Sequence, residues 1–95
     1  MKVRYTESAN HDSDQLLAGI AADNPAAATN VAAAIEAAVA RLSSFPRLGV
    51  ETDLTGVRLM VARPYVYLIF YVVEGDILVV RNIRHPSRQP SYRRL

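Results

Sequence analysis

The residues best suited to chemistry lie in the C-terminal stretch RNIRHPSRQPSYRRL, residues 81–95, which holds five arginines, one of the two histidines and a tyrosine. Cleavage of RNA through its 2′-hydroxyl group needs a base, cations for the phosphate and an acid for the leaving oxygen. His85 could act as base or acid, because imidazole titrates near neutral pH. Tyr92 could stack on a base or assist proton transfer. The arginines that could hold the phosphate are Arg58, Arg81, Arg84 and Arg88.

Each of these residues also has a structural interpretation. A histidine at a strand end can hydrogen-bond to the backbone and close the sheet edge, and Arg58 can lie on a solvated sheet face. In a regular strand, side chains 81, 83 and 85 share one face while 82 and 84 share the other. Arg81 with His85, or Arg84 with Arg58, could therefore lie together, but not all four. Tyr92 has no apolar neighbours, so packing on the helices and a functional role are equal alternatives.

The charge of the chain is distributed unevenly. Residues 1–57 carry four basic and seven acidic side chains, whereas residues 58–95 carry seven arginines and two acids. The net charge is therefore −3 in the first part and +5 in the second, and the only lysine is Lys2. Arginine favours bidentate contacts with phosphate or carboxylate. An anionic partner is expected, either a nucleic acid or an acidic protein.

Length and composition restrict the class of protein. Ninety-five residues, 51% hydrophobic and 21% charged, indicate a single globular domain over residues 1–95. The absence of cysteine excludes disulfides and thiolate metal sites. The sequence contains no apolar stretch of membrane-spanning length and no apolar leader at its start, so a cytoplasmic protein without membrane contact is expected.

Neither a cofactor nor a metal is expected from the motifs. The sequence contains no glycine-rich phosphate loop, nucleophile elbow or zinc-ligand spacing. His11, Asp12 and Asp14 are close together, but no further histidine or cysteine is nearby. They are interpreted as the first turn of a helix, where acids complement the helix dipole.

The first half of the chain predicts a strand and two helices. Alternation over residues 2–6 indicates a half-buried strand, and the i, i+4 spacing of Leu16 and Ile20 indicates an amphipathic helix over residues 8–22. Asn24 is expected to cap a second, alanine-rich helix that begins at Pro25. The short connection implies a helical hairpin. The candidate caps of the first helix are Ser8, Asn10, Asp12 and Ser13, and the apolar stripe of the second comprises Val31, Ile35, Ala38 or Val39, and Leu42.

The second half predicts a sheet after a loop over residues 46–56. Residues 57–62 alternate as a strand with one solvated face, with Val57, Leu59 and Val61 opposite Arg58, Met60 and Ala62. Residues 65–73, YVYLIFYVV, are apolar on both faces and predict a central strand whose three tyrosines lie in the core or at its rim. A tight turn at 74–76 leads to a returning strand over 77–83. The predicted order is β-α-α-β-β-β, an α+β fold with the hairpin on a twisted, mostly antiparallel sheet.

Three stretches in this order resemble the RelE/ParE superfamily of bacterial toxins, and most closely its ParE branch. DNPAAA at 23–28 resembles the family's D-N-P-x-A-A, and LSSFPRLG at 42–49 resembles L-x-x-F-P-x-L-G. The run VRLMVARPYVYLIFYVVEGDILVVRNIRH at 57–85 is similar to the family's strand region. The resemblance covers nearly the whole chain.

The resemblance implies the toxin of a type II toxin–antitoxin pair, neutralised by a cognate antitoxin that wraps around its helices and sheet and provides the only link to operator DNA. ParE-like members are described as poisons of DNA gyrase, and RelE-like members as ribosome-dependent mRNA endoribonucleases. The expected antitoxin-binding residues are Leu16, Ile20, Val31 and Ile35. The expected target-binding residues are Arg58, Arg81, Arg84, His85, Arg88 and Tyr92.

The C-terminal residues depart from the ParE pattern. ParE-like chains run from the last strand into H-x-x-R-D, whereas here HPSR is followed by QPSYRRL and the acid is missing. RelE-like nucleases often carry a basic cluster followed by a tyrosine, and Arg88 and Tyr92 fit that spacing. One alternative is therefore an endoribonuclease that uses His85, Arg58, Arg88 and Tyr92. Another is an inactive homologue that still binds its antitoxin.

Overall fold

The computed structural model describes residues 1–86 of the chain. Arg88 and Tyr92, and every prediction that concerns them, lie outside the described residues. Two helices pack on a five-stranded mixed sheet in an α+β arrangement, which confirms the predicted fold class. The elements are β1 Lys2–Tyr5, α1 Glu7–Asp23, α2 Pro25–Ser44, β2 Val50–Glu51, β3 Arg58–Ala62, β4 Tyr67–Glu74 and β5 Ile77–Arg84.

Both helices begin at a side-chain cap. The Thr6 hydroxyl accepts a hydrogen bond from the Ala9 N–H, so α1 begins earlier than any of the four predicted caps. The predicted cap of α2 is confirmed, because the Asn24 side chain accepts from the Ala27 N–H. Asn24 is also the single residue between the helices. The Thr6 hydroxyl in turn donates to the Arg81 carbonyl, which ties the start of α1 to β5.

The sheet has the strand order β1-β5-β4-β3-β2. The first strand pairs in parallel with the last, Lys2 opposite Ile77, and the other neighbours are antiparallel. β4 therefore lies in the centre, as its two apolar faces predicted. The two-residue turn before β5 places Gly75 at φ +63°, where glycine is favoured. The segment predicted as a loop over 46–56 contains the short strand β2, because Val50 and Glu51 pair with β3.

A β-bulge interrupts β5 at Arg81. Tyr71 pairs with Val80 and Phe70 pairs with Asn82, so Arg81 is an extra residue with no partner across the ladder. Val80 and Ile83 are consequently both buried in the core, although regular alternation would place them on opposite faces. The prediction that side chains 81, 83 and 85 share one face is therefore wrong.

The core lies between the helices and one face of the sheet. The predicted stripe of α2 is confirmed, with the side chains of Val31, Ile35, Ala38, Val39 and Leu42 all buried. On the sheet side the core cluster contains Ala62, Ile69, Tyr71, Leu78, Val80 and Ile83.

The alternation of β3 predicted one solvated face but did not predict whether the helices cover the face with Arg58, Met60 and Ala62. Ala62 is fully buried and Met60 packs against the core cluster, so this face points towards the helices. Because small or apolar residues lie on both sides of the strand, the sequence does not indicate which side the helices cover.

Tyr71 fastens the loop between α2 and β2. Its hydroxyl donates to the Pro46 carbonyl at 2.6 Å and accepts from the Gly49 N–H at 3.0 Å. A Cβ atom at Gly49 would lie 2.5 Å from this hydroxyl oxygen, so the close approach requires glycine. Burial raises the pKa of Tyr71, although the hydrogen bond from Gly49 and the charge of Arg58 act in the opposite direction. The F-P-R-L-G stretch thus has a structural role.

Candidate functional site

An open groove runs between α1 and the end of β5, and we call it the α1 groove. It consists of two adjoining cavities of about 250 Å³ and about 440 Å³. Gln15, Leu16 and His85 line both cavities. The groove therefore brings residues of the first helix next to the strand end that enters the basic C-terminal stretch.

One wall of the α1 groove is charged. Arg84 and His85 come from the end of β5, and His11 and Asp12 come from α1. The two histidines of the chain thus line one cavity although 73 residues separate them. The Arg84 guanidinium lies 3.3 Å from the Asp12 carboxylate. Its side chain is 36% exposed, so Arg84 can still reach a partner in the groove.

Asp12 holds the end of β5 in place where β1 no longer pairs with it. The β1 ladder stops with Tyr5 opposite Val80. Beyond that point, the Ile83 N–H donates to the Asp12 carboxylate at 3.0 Å, and the Asn82 amide donates to the same oxygen at 3.3 Å. A side chain of α1 therefore replaces a neighbouring strand. Asp12 lies in the second turn of α1, so its interpretation as a first-turn acid that complements the dipole is wrong.

The other wall of the groove is apolar and aromatic. Leu16 and Ile20 line it and also pack partly against the core cluster. Tyr67 lies opposite them, and its ring meets the His85 ring edge-on with centroids 5.5 Å apart. Tyr65 stands 6.0 Å from Tyr67. The prediction that Tyr65, Tyr67 and Tyr71 lie in the core or at its rim is confirmed, since Tyr71 is fully buried and the other two pack against the core.

The four predicted antitoxin-binding residues fall into two pairs. Leu16 and Ile20 are half-buried and line the α1 groove. Val31 and Ile35 are 3% and 4% exposed and belong to the core. A partner that binds this conformation of the chain can reach the side chains of Leu16 and Ile20. The side chains of Val31 and Ile35 are buried and are not accessible to it.

The predicted basic residues lie in separate places. The Arg58 guanidinium donates to the Gly49 carbonyl at 2.6 Å and lies 3.4 Å from Glu51, at the β2 edge of the sheet. Arg84 is two strands away, a separation of about 10 Å across the sheet. Arg81, at the bulge, is exposed and outside the groove. Within residues 1–86, the arginines that were candidates for one phosphate site do not converge.

The chemistry available in the α1 groove is therefore recognition by contact. Apolar contact through Leu16 and Ile20 lies beside charge-assisted hydrogen bonding through Arg84. No three histidine, aspartate or glutamate side chains within residues 1–86 are arranged to hold a metal ion. Nor does any helix in that part of the chain have the length and apolar character to cross a membrane.

Sequence reasoning missed the role of Asp12, Gln15 and Tyr67 in this groove. Asp12 carried no usable signal, because its partners on β5 lie 70 and 71 residues away in the sequence. Gln15 carried none, because only the crossing of α1 over the end of β5 places it at the groove. Tyr67 was recognised only as a core or rim residue.

The fold of the chain is similar to that of a solved structure. The chain matches a solved structure of the chromosomal ParDE TA system from P. aeruginosa with a TM-score of 0.72 and 18% identity, over 90% of this chain and 95% of that chain. At this identity the match shows a shared fold. A search of curated proteins finds no match.

The family follows from a second comparison. The family model described as the ParE toxin of the type II toxin–antitoxin system parDE matches residues 3–90. The chain therefore belongs to the ParE toxin family of type II toxin–antitoxin systems. The resemblance inferred from the DNPAAA and LSSFPRLG stretches is confirmed.

Proposed function

We propose that the chain inhibits bacterial growth by binding DNA gyrase in the cytoplasm and that a cognate antitoxin neutralises it. The observation that carries the proposal is the match of the ParE toxin family model to residues 3–90. Arg58 on β3 and His85 just after β5 are two strands apart, about 10 Å across the sheet, which favours action by contact over joint action on one phosphate. Neither a cofactor nor a metal has a part in this activity.

The antitoxin occupies the α1 groove in this proposal. Leu16 and Ile20 offer an apolar strip about one helical turn long, and Arg84 lies at one end of it. An antitoxin segment with an apolar face and a carboxylate would satisfy both features, in the manner of a helix bound in a groove. Operator DNA would then be reached only through the antitoxin.

The target-binding surface comprises the basic residues around the end of β5. Arg81, Arg84 and His85 occupy this end of the strand, and Arg88 and Tyr92 follow in sequence. Arg58 lies on β3, two strands from β5, so it would contact the target only if the target extends across the sheet. An antitoxin in the α1 groove would cover Arg84 and His85, which explains how a single partner could neutralise the toxin.

The first experiment measures gyrase directly. The purified full chain is added to DNA gyrase, and supercoiling and DNA cleavage are followed on gels. We expect loss of supercoiling or accumulation of cleaved DNA, abolished by an equimolar antitoxin. Arg81→Ala should weaken the effect, while Arg41→Ala, which removes an exposed arginine in the last turn of α2, should not. Unchanged gyrase activity at saturating toxin would refute the gyrase target.

The antitoxin part of the proposal has its own test. Gln15→Glu adds a negative charge within the α1 groove and should weaken the binding of an acidic antitoxin segment by about tenfold or more, a difference of roughly 1.4 kcal/mol. Ala18→Glu places the same charge on an exposed position of α1 outside the groove and serves as the matched control. Equal affinities of the two variants for antitoxin would place its binding site elsewhere.

Two alternatives give different outcomes on induction in cells. A gyrase poison causes DNA damage and filamentation, whereas a ribosome-dependent endoribonuclease stops translation at once. Codon-specific mRNA cuts that disappear in His85→Ala or Tyr92→Phe would establish the nuclease. Normal growth with retained antitoxin binding would establish an inactive homologue. Within residues 1–86, no observation favours either alternative over the gyrase proposal.

A further inference from the structure

The loop after α2 exposes an unusual amount of apolar surface. Of the eight exposed large hydrophobic residues among residues 1–86, half lie within ten consecutive positions. We call them the loop patch: Phe45 at 64% exposure, Leu48 at 44%, Val50 at 64% and Leu54 at 61%. Each member lies at most four residues from the next, so the backbones of neighbouring members are within about 14 Å of each other. Clustered apolar exposure of this kind marks an interaction surface.

The loop patch is held rigidly by its own hydrogen bonds. The Tyr71 hydroxyl bonds to Pro46 and Gly49, and Arg58 bonds to the Gly49 carbonyl. The Leu48 N–H donates to the Phe45 carbonyl at 3.0 Å, which closes a turn between two members of the patch. Further along, the Thr52 hydroxyl accepts from the Leu54 N–H. A preordered apolar surface loses little conformational entropy on binding.

The charges around the loop patch favour a copy of the same chain as the partner. Arg47 is exposed inside the patch, and the exposed acids Glu51 and Asp53 follow it, with Glu51 lying 3.4 Å from Arg58. A nucleic acid would be repelled by the two acids. A twofold axis through the patch, by contrast, can bring Arg47 of each copy towards the acids of the other, because an isologous contact is made twice.

The size of the patch agrees with a weak dimer. Phe45 alone exposes on the order of 100–150 Å², and three aliphatic side chains add to it. The total therefore falls in the range of about 300–600 Å² for a large apolar patch on a monomer. This is roughly half of the ~800 Å² that each partner contributes to a standard interface. The two copies should dissociate on dilution.

Pairing of β2 with β2 of a second copy of the chain is excluded as the main contact of a dimer. The Thr52 N–H donates to the Val57 carbonyl. Hydrogen-bonded and non-hydrogen-bonded residue pairs alternate along an antiparallel ladder, so the N–H and C=O groups of Glu51 point away from β3, towards the open edge. Antiparallel pairing at that edge would set two Glu51 side chains opposite each other, where like charges are destabilising. The apolar side chains of the patch must therefore carry the contact.

We propose that the loop patch binds the loop patch of a second copy of the chain and forms a reversible, twofold-symmetric toxin dimer. This surface is separate from the α1 groove, since no residue lines both. A toxin dimer can consequently form while each copy keeps its groove available. The inference does not depend on gyrase as the target.

Sedimentation equilibrium of the full chain, made by cell-free synthesis, tests the proposal over about two decades of concentration. We expect a monomer–dimer equilibrium whose dissociation constant rises at least about tenfold in Val50→Glu and in Phe45→Glu. Val66→Glu is the matched control, because Val66 is 54% exposed in the turn before β4 and outside the patch. Circular dichroism verifies that each variant is folded.

Three results would overturn the proposal. The first is a wild-type chain that stays monomeric at every concentration. The second is a dimer that Val50→Glu and Val66→Glu weaken equally. The third is protection of the loop patch from hydrogen exchange only when the antitoxin is added, which would make the antitoxin its occupant. In a further variant, Arg47→Glu, a third acid replaces the exposed cation inside the patch, and the dimer should again weaken by about tenfold.

Discussion

Removal of the Tyr71 hydroxyl tests whether one side chain holds the loop between α2 and β2. The phenol ring is fully buried, and its hydroxyl bonds to the Pro46 carbonyl at 2.6 Å and to the Gly49 N–H at 3.0 Å. Tyr71→Phe keeps the ring and removes both bonds. The Gly49 N–H then lacks an acceptor in a buried position.

The magnitude follows from these contacts. Each lost hydrogen bond costs about 0.5–1.5 kcal/mol, and a buried donor left unpaired costs about 1–3 kcal/mol. We expect the free energy of unfolding to fall by about 2–4 kcal/mol. For a chain of this size, each 1 kcal/mol lost from the free energy of unfolding lowers the melting temperature by about 4–8 °C. The melting temperature should therefore fall by roughly 8 °C or more.

Thermal and urea unfolding followed by circular dichroism measure the change. The control is Tyr5→Phe, because the Tyr5 hydroxyl makes no hydrogen bond within the described part of the chain. Tyr5→Phe should lower the free energy of unfolding by less than about 0.5 kcal/mol. A Tyr71→Phe loss below about 1 kcal/mol would show that the hydroxyl does not hold the loop, and the rigid loop patch would lose its main support.

The remaining predictions concern the same contacts. Gly49→Ala should destabilise by about 1–3 kcal/mol, and less than additively with Tyr71→Phe in a double-mutant cycle, since its Cβ would displace that hydroxyl. Asp12→Ala should cost about 1–3 kcal/mol in urea unfolding, whereas Asp12→Asn, which keeps an acceptor for the Ile83 N–H, should cost less; equal losses would disprove this role. Because burial raises the pKa of Tyr71 above its ordinary value of 10.0, the unfolded chain loses this proton first. Stability should therefore be full below pH 10 and fall as pH rises through the folded pKa, with a shallower fall in Tyr71→Phe; identical alkaline melting curves for the two proteins would contradict the assignment.

Local patterns in the sequence predicted most of the fold. The Asn24-Pro25 pair placed the start of α2, and the stripe from Val31 to Leu42 predicted its buried face. These signals are local, because a cap and a helical period depend on neighbours within a few residues. The central position of β4 followed in the same way from a run that is apolar on both faces.

Features that depend on distant partners could not be predicted. The bulge at Arg81 arises from the pairing of β5 with β4, and no residue type at that position indicates it. The orientation of β3 depends on which face the helices cover, and Met60 and Ala62 fit either environment. The α1 groove lies where α1 meets the end of β5, and the contact of Asp12 with Ile83 there spans 71 residues of sequence.

The parallel pairing of β1 with β5 has a consequence for synthesis of the chain. Lys2 precedes its strand partner Ile77 by 75 residues, so the ribosome makes the two at well-separated times. Until β5 is made, β1 has no strand to pair with, and the Arg81 carbonyl and the Ile83 N–H that bond to Thr6 and Asp12 have not been made. Contacts of such long sequence separation form late in folding. A growing or truncated chain that stops short of the end of β5 therefore lacks the α1 groove, and an antitoxin that binds there would recognise only a chain that extends through β5.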